Sequence, residues 1–119
     1  MIADAFNRFC ADLPATTHVV QWGGADVWKL GGKVFAIGGW HDAGYGVTFK
    51  AGDLAYEVLK DMPGCRPAPY LASRGMKWIQ SGPDGLDDAA LKAEIVASYD
   101  RIAAKLPKKL RRELGLAGD

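Results

Sequence analysis

Five of the eight residues from Lys105 to Arg112 (KLPKKLRR) are basic. Ammonium and guanidinium groups at that density suit one kind of chemistry: holding oxyanions, phosphates above all, without making or breaking a bond. Residues 101 to 119 carry six Lys or Arg against two Asp or Glu, and residues 1 to 100 carry nine against twelve, so the formal net of +1 hides local charges of +4 and −3. Lys33, Lys50, Arg66, Arg74 and Lys77 add cations in or beside strand-like segments. Trp40 and Tyr70 are aromatic side chains that could stack on bases or sugars. The element that carries Lys105, Lys108, Lys109, Arg111 and Arg112 also has Leu106, Leu110 and Leu114 at every fourth position. It is therefore expected to dock through its leucines and turn its cations outward. The competing reading is that these cations complement a helix dipole and solvate a surface.

Other chemistries lack their required context. The glycine-rich GGADVWKLGGK (23 to 33) fails as a phosphate loop: Val34 follows the lysine, no glycine lies five residues before Gly32, and a strand follows where a helix must begin. His18 and His41 lack Cys, Asp or Glu at ligand spacing, apart from Asp42 beside His41, and read as surface or loop histidines. Ser73, Ser81 and Ser98 sit in no G-x-S-x-G context, Cys10 falls on an apolar stripe, and the pair Asp87-Asp88 is explained by helix capping. The residues therefore predict no catalytic group, no metal site and no cofactor, and the chain is read as a non-enzyme.

The elements that must position the cations can be read from hydrophobic period. Ile2, Phe6, Phe9, Cys10 and Leu13 recur at helical spacing until Pro14, which predicts a helix over 2–13. Residues 18 to 50 change to a period of two, in four short runs separated by Gly23-Gly24, Gly31-Gly32 and Asp42-Ala43-Gly44, the pattern of an antiparallel meander. Its firmest hairpin joins Asp26–Leu30 to Lys33–Gly39. In the last run Tyr45, Val47 and Phe49 alternate with Gly46, Thr48 and Lys50, predicting one face on the core and one in water. A second helix is expected over 52–62 with Leu54, Val58, Leu59 and Met62 inward. The two prolines of 65–75 predict an edge strand or extended loop, and 76–81 a strand. Asp87 is the expected N-cap of a third helix with Leu91, Ile95, Tyr99, Ile102 and Leu106 on its buried stripe, and Pro107 opens a short fourth. Of Trp22, Trp28, Trp40 and Trp78, most are expected in the core and Trp40 is expected to be the exposed one.

This order, α, four β, α, one or two β, α, α, predicts a single α+β domain over 1–119: a two-layer fold with an antiparallel sheet and helices packed on one face. At 119 residues the chain can build its own core, so Cys10 and Cys65 read as reduced thiols of a cytoplasmic protein. The opening MIADAFNRFCADLP has neither a basic n-region nor a continuous apolar h-region, and no apolar run approaches the ~18 residues of a membrane span.

LGGKVFAIGG (30–39), VTFK (47–50), RPAPYLA (66–72), KWI (77–79) and SYDRIAAKLPKKLRREL (98–114) occur in an order that resembles the MmcQ/YjbR family of small bacterial proteins over nearly the whole chain. The resemblance implies a fold similar to frataxin, described as CyaY-like, and a role in DNA binding through a double wing of β-hairpins. By position it places Gly32-Lys33 in the second hairpin, Lys50 at the close of the meander, Trp78 in the tryptophan strand, and Leu106, Pro107, Lys108 and Lys109 in the terminal LPKK. Tyr70 is followed by Leu71 where family members often have histidine. Frataxin-like iron binding would need a carboxylate-rich first helix, and this one offers only Asp4 and Asp12.

The function expected from residues and resemblance together is DNA binding: weak, salt-dependent and of low sequence specificity. Lys33, Lys50, Arg66, Arg74, Lys77, Lys105, Lys108, Lys109, Arg111 and Arg112 would contact phosphates, and Trp40 or Tyr70 bases or sugars. The alternative is a protein-interaction or small-ligand module that uses the aromatic sheet face, with no membrane partner in either case.

Overall fold

The computed structural model describes residues 1–71 and 75–116; Arg74, a candidate phosphate contact, and Ser73, set aside as a nucleophile, lie outside the described residues. The elements run α1 (Ala3–Asp12), β1 (Thr16–Gln21), β2 (Ala25–Leu30), β3 (Lys33–Gly38), β4 (Val47–Lys50), α2 (Asp53–Leu59), β5 (Cys65–Pro67), β6 (Trp78–Ser81), α3 (Asp88–Lys105) and α4 (Lys108–Glu113). All strands pair antiparallel in one sheet of order β1-β2-β3-β4-β6-β5. The predicted meander is therefore present, strand after neighbouring strand. The short β5 lies at the sheet edge, the place that Pro67 and the following Pro69 allow it. Its first residue is Cys65, although the Pro63-Gly64 step before it favours a turn.

Gly31 and Gly32 both take positive φ (58° and 81°), and this two-residue turn joins β2 to β3. A bulge after Trp28 shifts the register between these strands. Phe6 and Cys10 of α1 and Leu91, Ile95, Tyr99 and Ile102 of α3 bury one sheet face, against Trp28, Leu30, Phe35, Val47, Phe49 and Ile79. Asp87 caps α3 by accepting from the Ala90 N–H at 2.8 Å. Ile2, the first residue of the predicted stripe, is instead the N-cap position of α1 and is exposed.

Two expectations need correction. In α2 only Leu59 is buried, while Leu54 is 78 % and Val58 61 % exposed and Met62 also faces solvent. The second sheet face is not simply wet: Ala25, Val27 and Ile37 form a smaller cluster, Leu71 packs over it, and Thr48 is fully buried. Leu71 and Met76, from between β5 and β6, thus lie on the face that strand alternation assigns to water. No helix among the described residues is long and apolar enough to cross a membrane.

Candidate functional site

The second sheet face carries two adjoining cavities. One, of about 430 Å³, runs between the sheet residues Val34, Ile37, Lys50 and Trp78 and the crossing residues Leu71 and Met76, with Lys33 and Lys105 also in its wall. The other, of about 450 Å³, is lined by Trp22, Trp40, Tyr70 and Leu71. Trp22 and Leu71 belong to both. Among the described residues neither lining contains a carboxylate.

The cationic end is built around Lys50. Ser98 of α3 donates its hydroxyl to the Phe35 carbonyl at 2.7 Å and accepts the Lys50 N–H at 3.0 Å. One turn on, Arg101 donates from Nη1 to the Lys50 carbonyl at 3.1 Å. Helix α3 therefore holds both backbone groups of Lys50 at the point where β4 ends, and the side chain emerges beside Lys105. Contact with Lys105, partial burial, and repulsion from Lys105, Arg101 and Lys33 hold the Lys50 ammonium below the ordinary lysine range. Among the described residues no ion pair engages Lys33, Lys50 or Lys105.

Helix α4 extends this end. Gly31 has no side chain because its Cβ would come within 2.9 Å of Leu106 and 3.3 Å of Leu110, so the leucines seat α4 on the β2–β3 turn next to Lys33. Lys108, Lys109 and Arg112 are exposed, as the leucine spacing predicts. Arg111 is not: it is half-buried, and its Nε lies inside without a partner.

Aromatic residues make the other end. Trp22 and Trp40 lie 5.6 Å apart, and Trp40 meets Tyr70 edge-on at 5.5 Å. All three have positive φ (54°, 61° and 69°). For bulky residues that backbone is strained by of order 1–3 kcal/mol each, and such strain concentrates at binding sites. Buried Gln80 holds the arrangement: its amide donates to the Trp40 carbonyl at 2.9 Å and accepts Arg66 Nε at 2.8 Å, while Trp40 Nε1 donates to the Trp22 carbonyl at 3.2 Å. Arg66 is thus fixed at the aromatic end.

Several sequence assignments change. Trp22, not Trp40, is the most exposed tryptophan, at 52 %, because it turns out of the sheet just before Gly23-Gly24; Trp28 and Trp78 are buried and Trp40 is half-buried. The sequence groups Trp22 with the tryptophans mostly expected in the core and assigns Arg101 no role. A large aromatic directly before a Gly-Gly turn was the available signal for Trp22, and the Ser98-to-Arg101 step on α3 was a faint one for Arg101. Lys77 is drawn away, pairing with Asp53 at 3.0 Å.

On the helix-covered face, His18 is more than a surface histidine: its Nε2 lies 3.0 Å from Asp26, whose other oxygen accepts the Tyr45 hydroxyl at 2.5 Å, and its ring stacks on Trp28. Burial would raise the Asp26 carboxyl, but hydrogen bonds from Tyr45, His18 and Asn7 outweigh it and hold it below the usual carboxylate range. Burial, helped by the Asp26 charge, pushes the Cys10 thiol up to about 12, and Cys10 and Cys65 are both free. Among the described residues no group of three or more His, Cys, Asp or Glu comes together to hold a metal.

The YjbR family model matches residues 11–101. The crystal structure of Deinococcus radiodurans protein DR2400, a DUF419-domain protein, superposes with a TM-score of 0.81 over 98 % of this chain and 89 % of that one, at 21 % identity. No curated protein matches the sequence significantly. The likeness to DR2400 shows the fold.

Proposed function

The chain belongs to the YjbR family, and on that premise we propose that it is a DNA-binding protein that acts without catalysis, through phosphates held at the lysine end of the second sheet face and unpaired bases stacked at its aromatic end. The observation that carries this reading is the convergence of Lys33, Lys50 and Lys105, from β3, β4 and α3, on one cavity whose wall continues into exposed Trp22. A positive groove beside stacking aromatics is the common arrangement for single strands, where each stacked base contributes about 1–3 kcal/mol and sequence matters little. Exposed Lys108, Lys109 and Arg112 lengthen the phosphate track, and Arg66 adds a cation beside the aromatic residues. A non-catalytic role is supported by the groups that might have reacted. His18, Asp26 and Tyr45 are tied to one another, and the Cys10 thiol is buried and held protonated.

The test is fluorescence anisotropy with labelled single-stranded and duplex oligonucleotides at about 50 and 200 mM salt. Expected are tighter binding of the single strand, a steep loss at the higher salt, and weakening on joint Lys33→Glu and Lys105→Glu substitution. No binding of either form at low salt overturns the reading.

A further inference from the structure

Beyond binding along a strand, we propose that the lysine-ended cavity is a phosphomonoester site, in which Lys33, Lys50 and Lys105 take the terminal phosphate of a nucleotide while Trp22 and Trp78 flank its base or sugar. This rests on the nucleic-acid reading for the body of the ligand. An internal phosphodiester carries one negative charge, and a terminal phosphate carries about −1.5 to −2 at neutral pH. Three ammonium groups from three elements, without a carboxylate in the wall among the described residues, match the larger charge.

The geometry is that of a built site. Lys50 is not a loose surface chain: Ser98 and Arg101 fix its backbone on both sides. Besides the lysines the cavity is lined by Trp22, Val34, Ile37, Leu71, Met76, Trp78 and Ile102, so most of its wall is apolar. Its volume of about 430 Å³ lies inside the usual range for small-ligand pockets. Crowding of Lys50 by Lys105, Arg101 and Lys33 is unfavourable in the free protein and is relieved by a dianion. A chain end and a free nucleoside monophosphate present the same group, so both must be tried.

Three oligonucleotides of one sequence would be compared by anisotropy: unphosphorylated, 5′-phosphorylated and 3′-phosphorylated, with adenosine and thymidine monophosphates as competitors. A phosphorylated end is expected to bind about tenfold tighter than the unphosphorylated strand, the scale of one or two added charge-assisted hydrogen bonds. Lys50→Met lowers both affinities and brings their ratio close to one. Lys33→Met, at the exposed first residue of β3 where the side chain is not part of the core, does the same in part. Equal affinity with and without the phosphate overturns this inference and leaves the DNA reading standing, as does a ratio that survives both substitutions. Monophosphates that bind while no oligonucleotide does would uphold the phosphomonoester site and overturn the strand-binding role; if nothing binds, both fall.

Discussion

At residue scale, Lys50 and Asp26 are opposite uses of charge. Lys50 is crowded by its own kind, so its ammonium weakens the fold where it supplies binding. Lys50→Met keeps the aliphatic stem and removes the repulsion; solvent screening keeps the gain small, so it is expected to raise the melting temperature slightly while anion affinity drops. Asp26 is surrounded by donors, and its folded-state carboxyl lies below the ordinary value of about 3.9. Its contribution is therefore complete above that ordinary value and is lost as pH falls through the lower, folded one. Asp26→Asn should cost about 1–3 kcal/mol at neutral pH and flatten the acid limb of stability below about pH 4, checked by denaturant melts across pH. An unchanged acid limb would show that other carboxyls set it. Neither environment was legible in sequence, because His18, Asp26 and Tyr45 become neighbours only when β1 pairs with β2 and the segment before β4 folds back.

At element scale, what the sequence disclosed was whatever repeats locally. The meander, the capped α3 and the leucine-seated α4 follow from period, glycine turns and Pro107, and all are present. Helix α2 shows the limit. Apolar residues at 54, 55, 58 and 59 make two stripes about 100° apart on a two-turn helix, and only packing chooses Ala55 and Leu59 over Leu54 and Val58. The place of Leu71 and Met76 on the second sheet face was equally hidden, since the prolines of 65–75 exclude a central strand without saying where an irregular segment lies. The seat of α4 is open to a paired test. Ala at Gly31 or Gly32 meets the same positive-φ penalty, but only at Gly31 does the new methyl strike Leu106 and Leu110. Gly32→Ala should cost about 1 kcal/mol, and Gly31→Ala more, with faster hydrogen exchange confined to α4 and weaker DNA binding. Equal costs for the two would mean that the leucines can move aside and α4 is not fixed by this turn.

At the scale of the whole molecule, the near-zero net charge misleads, because folding sorts what composition averages. Lys33, Lys50 and Lys105 are far apart in sequence, yet they face one cavity, whereas Lys77 is neutralised by Asp53. Counting basic residues could not separate these cases; the sheet order and the path of α3 do. The same sorting sets how binding must respond to salt. If a single strand is held through about three to six of its phosphates, by the cavity lysines and the exposed face of α4, log affinity should fall against log salt with a slope of about −2 to −4. Lys33→Gln should make that slope shallower by about 0.7, the share of a single phosphate. Lys77→Gln removes the same formal charge but only a paired one, so the slope should stay where it is. Equal flattening by both substitutions would mean that the protein attracts nucleic acid through its total charge and that the sheet face has no special part in it; flattening by Lys33→Gln alone ties the phosphates to the face that folding assembles.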